Sequence, residues 1–397
     1  MDRKQHFFTA LLALVSLILL LCGCTGKTSA SADAAAEPEA ALYAVKVGKG
    51  DALILRLDGK AYLIDAGKRI RWGQVHTALN MLGIKKLDAV FLTHTDNDHC
   101  GGLMPLALSE IEIGAWYAPA FYCEPKKEKS HPAVQAAAVR GQSVTFLYAG
   151  DTPEGVFTVL APLTLNKTDE DENSLVMRVV ADGVTILLTG DMEHREEKEL
   201  VNSDAELACT VLKVPNHGDR DACSVAFIGR TQPQLAVIST DPDEKPGTPD
   251  DMLLEDLDDA GITVLRTDLC KGVIRIACKA GEATADELEL PAPADVTRIT
   301  LTVSDEKTEL ITVKNSGKQE ADLTGCYLVS LKKQEVYLFP AGTVLAPGQT
   351  LTVGTLSTPE DSDLIWGEKN VFSKKKEDGL TLYDAGAAPV LTYWIGE

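Results

Sequence analysis

The stretch FLTHTDNDHCGG, residues 91–102, decides the reading of this 397-residue chain. Six positions within it carry His94, Asp96, Asp98 and His99. An apolar run, AVFLT at 89–93, precedes them, and Gly101 and Gly102 follow. A buried strand ending in a glycine-tolerant loop turns such side chains toward one point. Imidazole and carboxylate are the ligands that borderline and hard divalent ions take. A merely solvated turn does not account for four metal-capable side chains directly after a buried strand.

The pattern His-x-Asp-x-Asp-His resembles the metallo-β-lactamase signature His-x-His-x-Asp-His, with Asp96 where most members carry the middle histidine. In this form it is similar to the metallo-β-lactamase-like domain of the ComEC-type competence proteins. The resemblance extends over about residues 41–280 and includes VGKGDALILRLDGKAYLIDAG (47–67), ILLTGD (186–191) and LKVPNHGD (212–219), in the family's order. It implies an α/β fold, the αββα metallo-β-lactamase sandwich.

Outward from the motif, elements alternate. The segment 41–47 reads as a strand, and 51–57 and 61–65 as a hairpin about Asp58-Gly59. A helix is predicted at 73–82, and the strand at 88–93 delivers the motif. The Pro-, Lys- and Glu-rich segment 119–135 reads as a loop over the site, with His131 on the surface. Further strands are predicted at 174–180, 184–189, 210–214, 235–239 and 272–278, and helices at 193–201 and 250–260. Cys270 and Cys278 flank an apolar segment and are candidates to pair across a hairpin.

What the resemblance implies for the site is specific. Asp65 matches a supporting group that orients ligands. Asp191, at the end of an apolar strand, matches a carboxylate that bridges two metal ions. His217 matches the second histidine of a His-His-Gly element, with Asn216 in place of the first. Between His131 and Asp191 no histidine occurs, so the family's third one is missing, and Asn173 is the candidate to fill the gap. The implied centre holds two divalent metal ions, Zn or Mn. One takes Asp98, His99, Asp191 and His217, and the other takes His94, Asp96 and Asp191. The first matches without substitution and is expected to bind more tightly. Asp98 and Asp191 are the expected catalytic carboxylates.

The N-terminus reads separately. Arg3 and Lys4 precede an apolar run from Phe7 to Leu21, followed by Cys22-Gly23-Cys24. Residues 1–23 read as a secretory signal peptide, and the end resembles a lipobox with diacylglycerol on Cys24. Residues 24–40 read as a flexible tether. This predicts an extracytoplasmic protein, lipid-anchored to the cell membrane.

Residues 281–295 read as a Pro-, Ala- and acid-rich linker. Beyond it, 296–397 shows short alternating strands separated by turns, the pattern of an all-β immunoglobulin-like sandwich. LITVKNSGKQEADLTGCYLVS, FPAGTVLAPGQTLTVG and DGLTLYDAGAAPV resemble a lamin-tail domain. It shows no catalytic cluster. Trp366 and Trp394 suit either a core or a binding face.

The formal charge is −21, which works against nucleic-acid binding by simple phosphate neutralisation. The reading is nonetheless a membrane-anchored metal-dependent hydrolase. By resemblance it acts on a phosphodiester, either extracellular nucleic acid or a cell-surface polymer. A second reading is a surface-anchored binding protein on a weakened hydrolase scaffold, with the β-sandwich binding cell-surface or protein partners.

Overall fold

The computed structural model describes residues 37–120, 130–166, 173–292, 294–303, 309–356, 362–373, 378–386 and 388–395. The signal segment, Cys24 and the tether up to residue 36 lie outside the described residues. Among the described residues, no helix is long and apolar enough to cross a membrane.

Strand β1 (Ala41–Val45) shows how the first domain is built. All five of its residues are buried. Ala41, Tyr43 and Val45 face one hydrophobic cluster, while Leu42 and Ala44 face another. Side chains alternate across a strand, so a continuous apolar run must be covered on both faces. The elements that follow are β2 (Leu53–Leu57), β3 (Lys60–Ile64), α1 (Trp72–Met81), β4 (Lys86–Phe91), α2 (Asn97–Cys100), α3 (Leu103–Leu108), β5 (Glu112–Pro119), α4 (Pro132–Val139) and β6 (Val144–Leu147). Then come β7 (Phe157–Ala161), β8 (Val176–Ala181), β9 (Val184–Leu188), α5 (His194–Val201), β10 (Val211–Lys213), α6 (Val225–Thr231), β11 (Leu235–Ile238), α7 (Asp251–Asp259), β12 (Thr263–Arg266), β13 (Gly272–Lys279) and β14 (Glu282–Glu289).

They form an eight-stranded sheet, β14-β13-β1-β2-β3-β4-β5-β6, and a six-stranded sheet, β12-β11-β10-β9-β8-β7. The core between the sheets includes Leu42, Tyr62, Phe91, Phe157 and Ile186. Phe91 stacks on Tyr117 at 4.9 Å and meets Phe157 at 4.7 Å between ring centroids. Trp72, Val75 and Leu79 of α1, Leu103 and Leu106 of α3 and Ala136 of α4 cover the outer face of the first sheet. Leu200, Phe227 and Leu257, one from each of α5, α6 and α7, cover the outer face of the second. This is the expected αββα sandwich. Strands β3 and β4 are parallel, as are β9, β10 and β11. Their carboxyl ends therefore emerge at one edge.

Four expectations need correction. The loop predicted to run to residue 135 gives way to α4, which starts at Pro132 and contains Ala133, Ala136 and Ala137 as its buried face. Residues 121–129 lie outside the described ones. His131 is not a surface residue but only 5% exposed. The linker predicted at 281–295 is largely β14, which pairs with β13 over all eight of its residues. Arg275 on β13 holds Asp286 on β14. Cys270 and Cys278 are both free. Cys270 lies two residues before β13 and Cys278 near its far end, eight positions on, about 26 Å at the rise of an extended strand.

The C-terminal part has two four-stranded sheets and a two-stranded ladder. One sheet contains Ile299–Val303, Ile311–Asn315, Thr350–Thr355 and Leu364–Trp366, and the other Val336–Leu338, Tyr327–Ser330, Gly379–Tyr383 and Pro389–Trp394. Val313, Leu328, Phe339, Val353 and Leu382 lie in the core between them. Trp366 is fully buried there, whereas Trp394 is 40% exposed. This sandwich packs on the first domain. The Tyr327 hydroxyl donates to the Ile70 carbonyl, and Arg69 pairs with Glu335 at 2.6 Å.

Candidate metal centre

The site begins with the way β3 and β4 end. Asp65 follows β3 with φ +58°, a left-handed conformation uncommon in a non-glycine residue. Its carboxylate accepts the Thr93 N–H at 2.8 Å and the Thr93 hydroxyl at 2.7 Å. The same group lies 2.8 Å from His99 Nδ1. The backbone locks this arrangement. Ala66 N–H donates to the His99 carbonyl at 2.8 Å, and Gly102 N–H donates to the Gly67 carbonyl at 3.0 Å. A Cβ on Gly102 would collide with the Ala66 carbonyl, which explains the glycine there.

The second sheet supplies the opposing ligands. Asp191 follows β9 through Gly190, whose φ is +52° and whose absent Cβ would lie 2.8 Å from Thr93 Cβ. Asp191 N–H donates to Ser174 Oγ at 3.1 Å. After β10, Asn216 and His217 both adopt positive φ, +43° and +55°. That turn aims His217 inward, and His217 Nδ1 meets the Ser239 carbonyl at 2.8 Å.

These contacts settle the tautomers. A carbonyl only accepts, so His217 carries its proton on Nδ1. The Asp65 carboxylate engages Nδ1 of His99 in the same way. Both rings then present Nε2 inward, 3.2 Å from one another. His99 Nε2 lies 3.2 Å and His217 Nε2 3.0 Å from a single oxygen, Asp191 Oδ2. Two ring nitrogens converging on one carboxylate oxygen at such distances form a pocket that a divalent cation can enter by displacing the ring protons. Asp191 Oδ1 is also buried without a hydrogen-bond partner. The donor set fits a divalent ion held by nitrogen and oxygen, with Asp65 orienting a ligand from behind.

The ligand atoms gather in overlapping groups within 4.8 Å: His94, His99 and Asp191; Asp98, His99 and His217; and Asp51, Asp65 and His99. His94 Nδ1 is 3.0 Å from the Thr93 hydroxyl, and its Nε2 is 3.9 Å from Asp191 Oδ2. Asp98 Oδ2 lies 3.6 Å from His217 Nε2.

Three predicted residues stand elsewhere. Asp96 is exposed at the N-cap of α2 and joins none of the groups. Asn173 clasps its own loop: its Oδ1 accepts Asn166 N–H at 2.6 Å, and its Nδ2 donates to the Asn166 carbonyl at 2.8 Å. Its neighbour Ser174 is the one that reaches Asp191. Asn216 donates to Asp221 at 3.1 Å and to Glu193 at 3.4 Å, so its side chain braces flanking loops.

Sequence reasoning missed Asp51, Lys213 and Lys49. Asp51 is 1% exposed and Lys213 fully buried, and they pair at 2.5 Å. Asp51 lies 3.9 Å from His217 Nδ1 and 4.0 Å from His99 Nδ1. Lys49 Nζ lies 2.8 Å from Asp98 Oδ2. A signal existed for Lys213, a charged residue inside the apolar strand that ends TVLKVP.

The site draws positive charge. Burial works against a charged His99, but Asp191 and Asp65 outweigh it and hold its pKa well above the ordinary value. Burial likewise opposes an ionised Asp191, and His217 and His99 outweigh it, holding its carboxyl well below the usual range. Burial would raise Asp98, but His99, His217 and Lys49 bring it down to about 2. Burial lowers His94 to about 4, with His99 adding to the effect, so this ring is neutral at physiological pH and available as a ligand.

Residues 45–240 match the Metallo-beta-lactamase superfamily, and residues 292–394 match the Lamin Tail Domain. The chain is thus a metallo-beta-lactamase domain followed by a lamin tail domain. "ComE operon protein 3" of Bacillus subtilis is 34% identical over 194 residues, which are 48% of this chain and 24% of that protein. "Competence protein ComA" of Neisseria gonorrhoeae is 30% identical over 279 residues, 69% of this chain and 37% of that protein. These similarities support the ComEC-type competence family, although the chain spans well under half the length of either relative. A solved metallo-beta-lactamase fold protein, YhfI of Bacillus subtilis, is 13% identical with TM-score 0.42, covering 62% of this chain and 100% of that one. The superfamily fold implies divalent metal ions, and the His/Asp clusters are where they would sit.

Proposed function

We propose that the first domain is a metal-dependent phosphodiesterase or nuclease, acting on extracellular nucleic acid or another phosphodiester. The observation that carries this reading is the convergence of His99 and His217 Nε2 on one oxygen of Asp191, with both Nδ1 atoms already engaged. His94, His99, Asp191, His217 and Asp98 would hold divalent metal, zinc or manganese. Such ions supply a nucleophile at neutral pH and polarise a phosphoryl oxygen. Asp65 keeps His99 in the required tautomer. Asp191, whose carboxylate stays ionised, orients whatever occupies the centre.

The neighbouring loops suit an anionic substrate despite the acidic chain. Lys49, Lys68 and Arg71 cluster there, with Lys68 and Arg71 both held on Glu244. Such groups recognise phosphate when a substrate competes for them. By the lipobox reading, a lipid on Cys24 tethers the enzyme outside the cytoplasm, where extracellular polymers are in reach.

The full chain should turn over bis-(p-nitrophenyl) phosphate, DNA or RNA with manganese or zinc, lose the activity on chelation and regain it on metal return. Stoichiometric metal with no turnover on any phosphodiester would favour the second reading, a surface binding protein. One observation speaks for that reading: Lys49 occupies an oxygen of Asp98 that a metal ligand needs.

A further inference from the structure

We infer that the two lysines at this centre stand in for a second divalent ion, so that the chain retains one ion tightly and Lys49 controls entry of another. The inference rests on the reading of the site as a metal centre. Its observations are the positions of Lys49 and Lys213, which the family match does not assign.

Four carboxylates surround the histidine cluster. Asp51, Asp65 and Asp191 are buried, and the Asp98 side chain is 14% exposed. Two ammonium groups meet them: Lys213 on Asp51 at 2.5 Å and Lys49 on Asp98 at 2.8 Å. With the histidines neutral once they hold an ion, four negative charges against two positive ones leave a deficit that a single divalent ion cancels. A second dication in a buried site would lack compensation, and uncompensated buried charge is costly.

Geometry places the competition. Asp98 Oδ2 lies 3.6 Å from His217 Nε2, and it is the same oxygen that Lys49 holds. Lys49 therefore sits on the ligand atom that an ion among Asp98, His99 and His217 would use. The two lysines make their ion pairs with Asp98 and Asp51 rather than with Asp191, which faces His94 and His99. The retained ion belongs there, which reverses the order of affinities that motif matching suggests. Lys213 is fixed, since it also donates to the Val214 carbonyl at 3.0 Å and has no path to solvent. Lys49 is the exchangeable one: its side chain is 17% exposed, whereas Lys213 is fully buried.

The test is metal stoichiometry of the full chain. Parent, Lys49→Gln and Lys49→Arg proteins would be stripped with chelator, reloaded with zinc or manganese alone, desalted and analysed by native mass spectrometry and elemental analysis. Melting temperatures would establish that each variant is folded. One retained ion is expected in the parent and in Lys49→Arg, and two in Lys49→Gln, with affinity for the second ion raised at least tenfold. His94→Ala should lose the parent's single ion, whereas Asp98→Asn should keep it. Two equally tight ions in the parent, or one ion in a folded Lys49→Gln, would overturn the inference. No retained ion in the parent would overturn it differently, by removing the metal centre on which it rests.

Discussion

Asp65 follows β3 and His99 lies in α2 after β4, and a 2.8 Å contact joins the Asp65 carboxylate to His99 Nδ1. Both Asp65 oxygens are engaged, one by the Thr93 N–H and the other by the Thr93 hydroxyl and His99 Nδ1, so Asp65 fixes which nitrogen of His99 faces inward. Asp65→Asn keeps the shape but removes the charge. It should weaken metal binding by about 10- to 100-fold with little change in fold. Titration of the stripped protein with zinc, alongside circular dichroism, checks both halves of that statement.

The domains are not independent. A Cβ on Gly73 of α1 would lie 2.5 Å from the Tyr327 ring, so the tyrosine packs directly on the helix backbone. Tyr327 is fully buried and stacks on Tyr383 at 5.2 Å. Tyr327→Ala should cost about 3 kcal/mol or more, the range for removing a buried aromatic ring. Urea denaturation should show a lowered midpoint and separate transitions for the two domains.

A fragment ending at residue 280 would strip β14 from β13 and leave a long unpaired edge, a template for aggregation. A fragment ending at residue 291 keeps that edge covered. The longer fragment should therefore be the more soluble by a clear margin, as size-exclusion chromatography would register.

Much of the first domain was legible because its strands are buried on both faces and read as continuous apolar runs. The metal motif was legible as a local pattern after a buried strand, and Asp65, Asp191 and His217 through their resemblance to the family's motifs. Strand β14 was not, because EATADELE has no buried face; six of its eight residues are exposed, and ladder hydrogen bonds hold it in place. Helix α4 was masked by the charged residues before Pro132, although proline at the first helical turn is itself a start signal. Asp51 and Lys213 are 162 positions apart, and no window of sequence reveals that they neutralise one another.

His131 provides the pH test. Burial depresses its pKa from 6.5 to about 4. The unfolded chain takes up a proton below pH 6.5 while the folded one does not, so this residue lowers stability as pH falls from 6.5 to about 4. The loss is at most about 3 kcal/mol. His131→Gln should be less acid-sensitive than the parent across that window, measured by denaturation midpoints at pH 7, 5.5 and 4. Parallel curves for the two proteins would contradict the assignment.

The central claim is that Asp191 anchors a catalytic metal centre. Its most direct test is calorimetric titration of stripped full chain and Asp191→Asn with zinc and with manganese, paired with phosphodiester turnover. The parent should bind metal and hydrolyse substrate. Asp191→Asn should lose metal occupancy and fall in rate by at least about a thousandfold, several kcal/mol of transition-state stabilisation. Equal metal binding and equal turnover in the two proteins would contradict the account.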